Sequence, residues 1–256
     1  MSKQQPETEA IRTQTGHTEQ REHSTPLFMT SSFVFNSADH ARALFANEIE
    51  GNVYSRYSNP NVDEFVKKIY LMEGAEAGVA TGSGMSAIFS SLAGLLEQGD
   101  HVLACRSLFG SSHQILDGIL PKWGIDYSYG NIDQPETWEA FISDRTRVLF
   151  LETPSNPGLD LIDLEWAGAL ADAHNLILIV DNCFATPCLQ QPMKFGADLV
   201  LHSATKYIDG QGRGIGGVVV GKERYIEEIS FFTRHSGPAL SPFNAWMFSK
   251  SLETLA

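Results

Sequence analysis

Five runs in this chain are apolar almost from end to end: "HVLA", "RVLFLE", "LILIVD", "ADLVLHS" and "GGVVVG". A strand with one wet face alternates polar and apolar residues, so continuous runs of this length indicate strands covered on both faces. Two further strand-like segments, "AGVAT" and "IDYSY", belong to the same series. The first five strands in chain order are separated by helix-like segments: "MSAIFSSLAGLLEQ", "SHQILDGILPKW", "PETWEAFISD" and "DLEWAGALADAHN". Ahead of them, "NPNVDEFVKKIYLMEG" places Val62, Phe65, Val66, Ile69 and Met72 on one helical face and stops at Gly74. The alternation predicts an α/β fold, a mostly parallel sheet between helices.

With 256 residues, 43% of them hydrophobic, the chain can bury a large core in one α/β domain or two smaller ones. The formal net charge is −13 and no Lys/Arg-rich block occurs, which argues against a nucleic-acid or anionic-membrane surface. An anionic ligand must therefore be held by local donors. The opening "MSKQQPETEAIRTQTGHTEQREHSTP" is polar and lacks the apolar core of a secretory signal, so residues 1–60 read as a mobile or subunit-crossing arm ahead of a domain over 61–256. No apolar stretch approaches the roughly 20 residues that span a bilayer, and the chain reads as soluble. Cys105, Cys183 and Cys188 are odd in number and lack CxxC spacing. They fit reduced, buried thiols in a cytoplasmic protein, and "CFATPC" shows no grouping of zinc ligands, so no metal is expected.

Open parallel sheets gather ligands at the carboxyl ends of their strands. Here those ends carry Thr81 to Met85, Ser107 to Phe109, Thr153 to Asn156, Asp181 to Asn182, and Ser203 to Lys206. "TGSGMSA" sets Gly82, Gly84 and Ala87 at dinucleotide-fingerprint spacing between a strand and a helix. The next strand, however, runs into Arg106 where a ribose-binding acid is required. What survives is a small-residue turn at a helix N-terminus, suited to a phosphate. "GQGRGIGG" repeats the spacing at Gly212, Gly214 and Gly217 but precedes a strand; it reads as a loop whose backbone can pass close to the lysine.

Lys206 follows a buried strand directly, a place where lysine is seldom left unless paired or chemically used. Asp181 ends another apolar strand. Alone it reads equally as a cap or an ion-pair partner. Beside Lys206 it matches the two parts pyridoxal phosphate requires: a Schiff-base lysine and a carboxylate for the pyridinium nitrogen. Ser203 and Thr205 offer hydroxyls to a phosphate, and Gly84 and Met85 the helix N-terminus. Phe109 reads as core or as a face for a cofactor ring. Asn156 sits in a Pro-bracketed turn. Arg56, near Tyr54 in "NVYSRYSNP", suits a phosphate or a surface carboxylate.

In combination, "YSRYSNPN", "GSGMSAI", "ETPSNP", "VDN" and "HSATKYIDGQG" resemble the Cys/Met-metabolism family of pyridoxal-phosphate enzymes, in that family's order, over roughly residues 25 to 256. "EHSTPLFMTSSFVF", "DNCFATPCLQQP" and "SGPALSPFNAW", with Phe109 where other branches carry Tyr, are most similar to its O-succinylhomoserine sulfhydrylase branch. The resemblance implies the large domain of the fold type I transferases. It implies Lys206 as the cofactor-bearing lysine, Asp181 on the ring nitrogen, Phe109 on the ring face and Asn156 at the ring oxygen. Gly84, Met85, Ser203 and Thr205 would hold the phosphate. Tyr54 and Arg56 would reach a neighbouring subunit's phosphate, with Tyr54 also a proton carrier, so the expected assembly is a homotetramer of site-sharing dimers.

The implied reaction is γ-replacement on O-succinylhomoserine by sulfide, giving homocysteine and succinate in methionine biosynthesis. Cystathionine γ-synthase, O-acetylhomoserine sulfhydrylase and methionine γ-lyase chemistries stay open, as do a nicotinamide oxidoreductase and a non-catalytic assembly subunit. The sequence stops at "SKSLETLA", before the family's C-terminal domain and its substrate-carboxylate arginine. The expectation is cofactor binding with impaired turnover.

Overall fold

In the computed structural model, which describes residues 5–255, the seven strand segments pair into one sheet of order β1-β7-β6-β5-β4-β2-β3. The strands are β1 (Ala77–Thr81), β2 (His101–Cys105), β3 (Asp126–Gly130), β4 (Thr146–Glu152), β5 (Ile177–Asp181), β6 (Leu199–Ser203) and β7 (Gly217–Gly221). Pairing is parallel from β6 through β5, β4 and β2 to β3, while β7 runs antiparallel to both β6 and β1. Every residue of β2 and of β7 is buried, which accounts for their unbroken apolar sequence. The carboxyl ends of six strands therefore share one edge, and β7 starts at that edge.

The α-helices are α1 (Pro6–Arg12), α2 (Ala38–Phe45), α3 (Pro60–Glu73), α4 (Gly84–Leu95), α5 (Gly110–Gln114), α6 (Leu164–Ala173), α7 (Thr186–Leu189), α8 (Glu223–Ser236) and α9 (Pro242–Leu252). Helix α3 has the caps its sequence announces. Asn59 accepts from the Asn61 N–H, Pro60 opens the first turn, and Gly74 closes the helix at φ 75°. Helices α3 and α9 pack together, as do α4 and α8. Among the described residues no helix is long and apolar enough to cross a membrane.

Two helix readings are corrected. "SHQILDGILPKW" begins earlier, at Gly110, and after one α turn passes into a π turn over Ile115–Ile119 and a 3₁₀ turn over Leu120–Trp123, where Pro121 lacks the N–H to continue an α-helix. "PETWEAFISD" is a 3₁₀ segment over Pro135–Phe141. Its Trp138 is fully buried in the space left by Gly130, where a Cβ would fall 2.1 Å from the indole, and Trp138 Nε1 donates to the Asn131 carbonyl at 2.8 Å. Anchoring by that ring overrides α-helical spacing.

The described part of the opening packs against the domain that follows it. Ala10 joins the core. Fully buried Lys68 lies 3.4 Å from Glu64 and 3.0 Å from Glu253, and Lys68 Nζ also donates to the Ser249 carbonyl at 3.3 Å. The second oxygen of Glu64 accepts from the Thr15 N–H at 2.9 Å and the Thr25 hydroxyl at 2.6 Å. A buried ammonium needs such carboxylates, and they tie the opening, α3 and α9 together. Next, the Phe28 N–H donates to Asn61 Oδ1 at 2.7 Å and Asn59 Nδ2 donates to the Phe28 carbonyl at 3.1 Å. Residues 29–58 thus leave from and return to one point.

Candidate active site

Strand β1 ends at Thr81, and Ser83 caps α4 with a reciprocal box: the Ser83 hydroxyl accepts from the Ser86 N–H while Ser86 Oγ accepts from the Ser83 N–H. That box leaves the first-turn N–H groups of Gly84 and Met85 without a hydrogen-bond partner among the described residues. They stand against the end of β6. A Cβ on Gly84 would lie 2.5 Å from Ser203 Cβ, so only glycine lets the helix start so near that hydroxyl. Gly217 does the same for β7, since a Cβ there would sit 2.2 Å from the Ser83 carbonyl oxygen. The glycine loop does pass the lysine segment: Thr205 Oγ1 accepts from the Gly216 N–H at 3.2 Å.

Past Ser203 the chain turns, with the Lys206 N–H donating to the Ser203 carbonyl at 3.2 Å and the Gly210 N–H to the Lys206 carbonyl at 2.8 Å. The Lys206 side chain is exposed at this edge. On the neighbouring β5, Asp181 is buried at 7% exposure. Its Oδ1 accepts from the Cys183 N–H at 3.0 Å. Burial pushes the Asp181 carboxyl up to about 6, against the opposing effects of the Cys183 N–H and His202. Burial also pushes the Cys183 thiol up to about 12, with the Asp181 charge adding to the effect and nearby Lys206 opposing it. The thiol, whose Sγ lies 3.6 Å from the Ser203 carbonyl, stays protonated at neutral pH and does not compete with Lys206 for an aldehyde.

Glu152, at the end of β4 and in register with Asp181, is absent from the sequence-based set. Its Oε2 accepts from the Phe109 N–H at 2.6 Å and its Oε1 from the Asn156 N–H at 2.9 Å. Burial and then the Asp181 charge push its carboxyl up to about 8. An acid closing an apolar strand was the available signal, the same one that marks Asp181. Behind the site, His202 Nε2 and Glu73 Oε1 lie 2.7 Å apart with both side chains fully buried, and Asn182 Nδ2 donates to the same oxygen at 2.9 Å. Nothing in the local sequence pairs Glu73 with His202.

The structure gathers Lys206, Asp181, Ser203, Thr205, Gly84, Met85, Phe109 and Asn156 at the one sheet edge. Among the described residues no hydrogen bond joins Tyr54 or Arg56 to that set. Arg56 Nη1 donates to the Arg234 carbonyl, and its guanidinium lies 4.8 Å from the Tyr57 ring and 5.3 Å from that of Tyr54. The donor set fits pyridoxal phosphate. It provides free helix N–H groups and hydroxyls for a phosphate, a primary amine for an aldehyde, and a buried carboxylate for a cationic ring nitrogen.

Sheet order, helix N-terminus and strand-end lysine together define the large domain of a fold type I pyridoxal-phosphate enzyme. The chain belongs to the Cys/Met metabolism PLP-dependent enzyme family, whose sequence profile matches residues 7–256. It is 51% identical over 249 residues to the O-succinylhomoserine sulfhydrylase of Pseudomonas aeruginosa, covering 97% of this chain and 62% of that protein. It is 46% identical over 231 residues to the O-succinylhomoserine sulfhydrylase of Mycobacterium tuberculosis, covering 90% and 57%. The chain thus spans about three-fifths of the length of these relatives. A Campylobacter jejuni structure described as an O-acetylhomoserine (thiol)-lyase, which carries a pyridoxyl-lysine phosphate, superposes with a TM-score of 0.93 at 30% identity, covering 98% of this chain and 71% of that one.

Proposed function

We propose that the chain is the cofactor-binding portion of an enzyme that replaces the γ-substituent of O-succinylhomoserine with sulfide. The observation that carries the reading is Lys206 at the end of β6, beside the buried Asp181 carboxylate of β5 and the open N-terminus of α4. Identity to the sulfhydrylases supports the choice of reaction.

The Lys206 amine is the group that receives the cofactor's aldehyde, and the bound cofactor supplies an electron sink. The chain's residues do the rest. Asp181 keeps the ring nitrogen protonated. The Gly84 and Met85 N–H groups and the Ser203 and Thr205 hydroxyls hold the phosphate, Phe109 covers the ring and Asn156 bonds its oxygen. The Lys206 amine would take the α-proton of the substrate and return it to the same carbon after the γ-substituent has been exchanged. At the γ-carbon the C–O bond breaks, its electron pair leaving with succinate, and the sulfur of hydrosulfide forms the new C–S bond. The hydrosulfide proton stays on the product thiol of homocysteine.

Phe109 offers a face but no phenol, which disfavours an elimination route that needs such a hydroxyl. Tyr54 and Arg56, which make no hydrogen bond to the Lys206 set among the described residues, act on a neighbouring subunit, Arg56 at the phosphate and Tyr54 as a proton carrier. Pairs of chains then share sites, and two pairs form the tetramer.

A steady-state assay tests the reading on this chain and on one extended to the length of its relatives, with O-succinylhomoserine or O-acetylhomoserine as ester and sulfide or cysteine as thiol. Homocysteine from the succinyl ester and sulfide, in preference to the other three combinations, is the expected result. Preference for the acetyl ester, or cystathionine as main product, refutes the assignment of reaction.

A further inference from the structure

We propose that Glu152 is a positioning residue of this site, a single carboxylate that fixes the backbones of Phe109 and Asn156 relative to each other. The proposal rests on the pyridoxal-phosphate reading of the same edge.

Phe109 and Asn156 lie on separate loops, one following β2 and the other β4. Phe109 is 38% exposed and opens a helix of only five residues without a side-chain cap, so little of its own surroundings fixes its ring. Both backbone N–H groups end on Glu152, one on each oxygen, at 2.6 and 2.9 Å. Glu152 itself is only 4% exposed. Its N–H donates to Cys105 Sγ at 3.4 Å, and its register places it beside Asp181.

The carboxylate therefore spans the two loops that carry the stacking face and the ring-oxygen contact. A planar ligand held between them needs both at once, and a shift of about 1 Å in either is enough to cost about 100-fold. A carboxyl group has an acceptor oxygen for each of the two N–H groups. A glutamine has one, and its amide N–H would face the second donor.

The test uses the full chain with pyridoxal phosphate as probe. Affinity is read by quenching of tryptophan fluorescence, ring orientation by visible circular dichroism of the bound cofactor, and integrity by the melting temperature of the cofactor-free protein. Glu152→Ala should weaken binding by about 10- to 100-fold, as expected when two hydrogen bonds are lost, and should diminish the dichroic band. Glu152→Gln, which keeps shape and one acceptor, should fall between. In a cycle with Phe109→Leu, the double variant should be weaker by much less than the product of the single effects, because both act on the same ring.

Full affinity and an unchanged dichroic band in a folded Glu152→Gln or Glu152→Ala protein overturn the proposal, as does strict multiplication of effects in the cycle. If Glu152→Ala does not fold, the Gln variant decides between the same outcomes. Failure of the unsubstituted chain to form a borohydride-reducible adduct removes the cofactor reading and the proposal together, whereas an adduct with no Glu152 effect removes the proposal alone.

Discussion

Gly84 is the position at which a single methyl group should separate cofactor binding from folding. A Cβ there would lie 2.5 Å from Ser203 Cβ and 2.9 Å from both Ser203 Cα and Oγ. Carbon atoms settle at about 3.5–4.0 Å, so the start of α4 must move from the end of β6 by about 1 Å. The backbone of Ser203 cannot yield, since β6 is hydrogen-bonded to strands on both sides. Overpacking of this kind costs about 1–3 kcal/mol of stability. The same displacement carries the Gly84 and Met85 N–H groups away from the Ser203 hydroxyl, and a misplacement of about 1 Å corresponds to about 100-fold in function. Gly84→Ala should therefore melt a few degrees lower and bind pyridoxal phosphate about 100-fold more weakly, measured by equilibrium dialysis on the folded protein. Gly118→Ala is the control: a Cβ there meets nothing within 4 Å, so affinity should not change. Wild-type affinity in a folded Gly84→Ala protein would refute the argument that this helix start and Ser203 form one cradle.

Lys206→Ala should abolish the adduct that borohydride traps, read by mass spectrometry of the peptide holding residue 206, with the melting temperature of the cofactor-free protein nearly unchanged because the side chain is exposed. Asp181 and Glu152 both have carboxyls raised by burial, amid Cys105, Cys183, His202 and Lys206, so their protonated forms favour the folded state. Their contribution to stability is complete below about pH 4 and is lost as pH rises through about 6 and then about 8. The cofactor-free protein should thus show a falling melting temperature across that window, and Asp181→Asn should flatten its lower part. Glu73→Ala should destabilise by about 3 kcal/mol, seen as a lower denaturant midpoint, because it strips the buried His202 and Asn182 of their common acceptor.

The strands were legible because burial on both faces imprints itself on consecutive residues, and the strand ends then exposed Lys206 and Asp181 without further help. Glu152 carries the same mark, an acid after an apolar run, but its partners are backbone N–H groups on two loops, which side-chain identity does not encode. The turns around Ile115 and Trp138 escaped helical spacing because Pro121 and the Gly130 gap govern them. Helix α8 starts at Lys222 without a capping side chain, which hides its beginning, whereas the Ser241–Pro242 start of α9 is a visible signal that a strand-centred reading passes over. Tyr54 and Arg56 were singled out by motif, whereas the contacts of Arg56 with Tyr57 and Arg234 are ones no spacing rule anticipates.

Phe28, Asn59 and Asn61 knot both feet of the 29–58 stretch at the base of α3. For a tethered lasso of this kind the entropy of bringing the ends together is spent when the chain folds, before any second molecule arrives. Any further contact of the stretch begins with that cost already met.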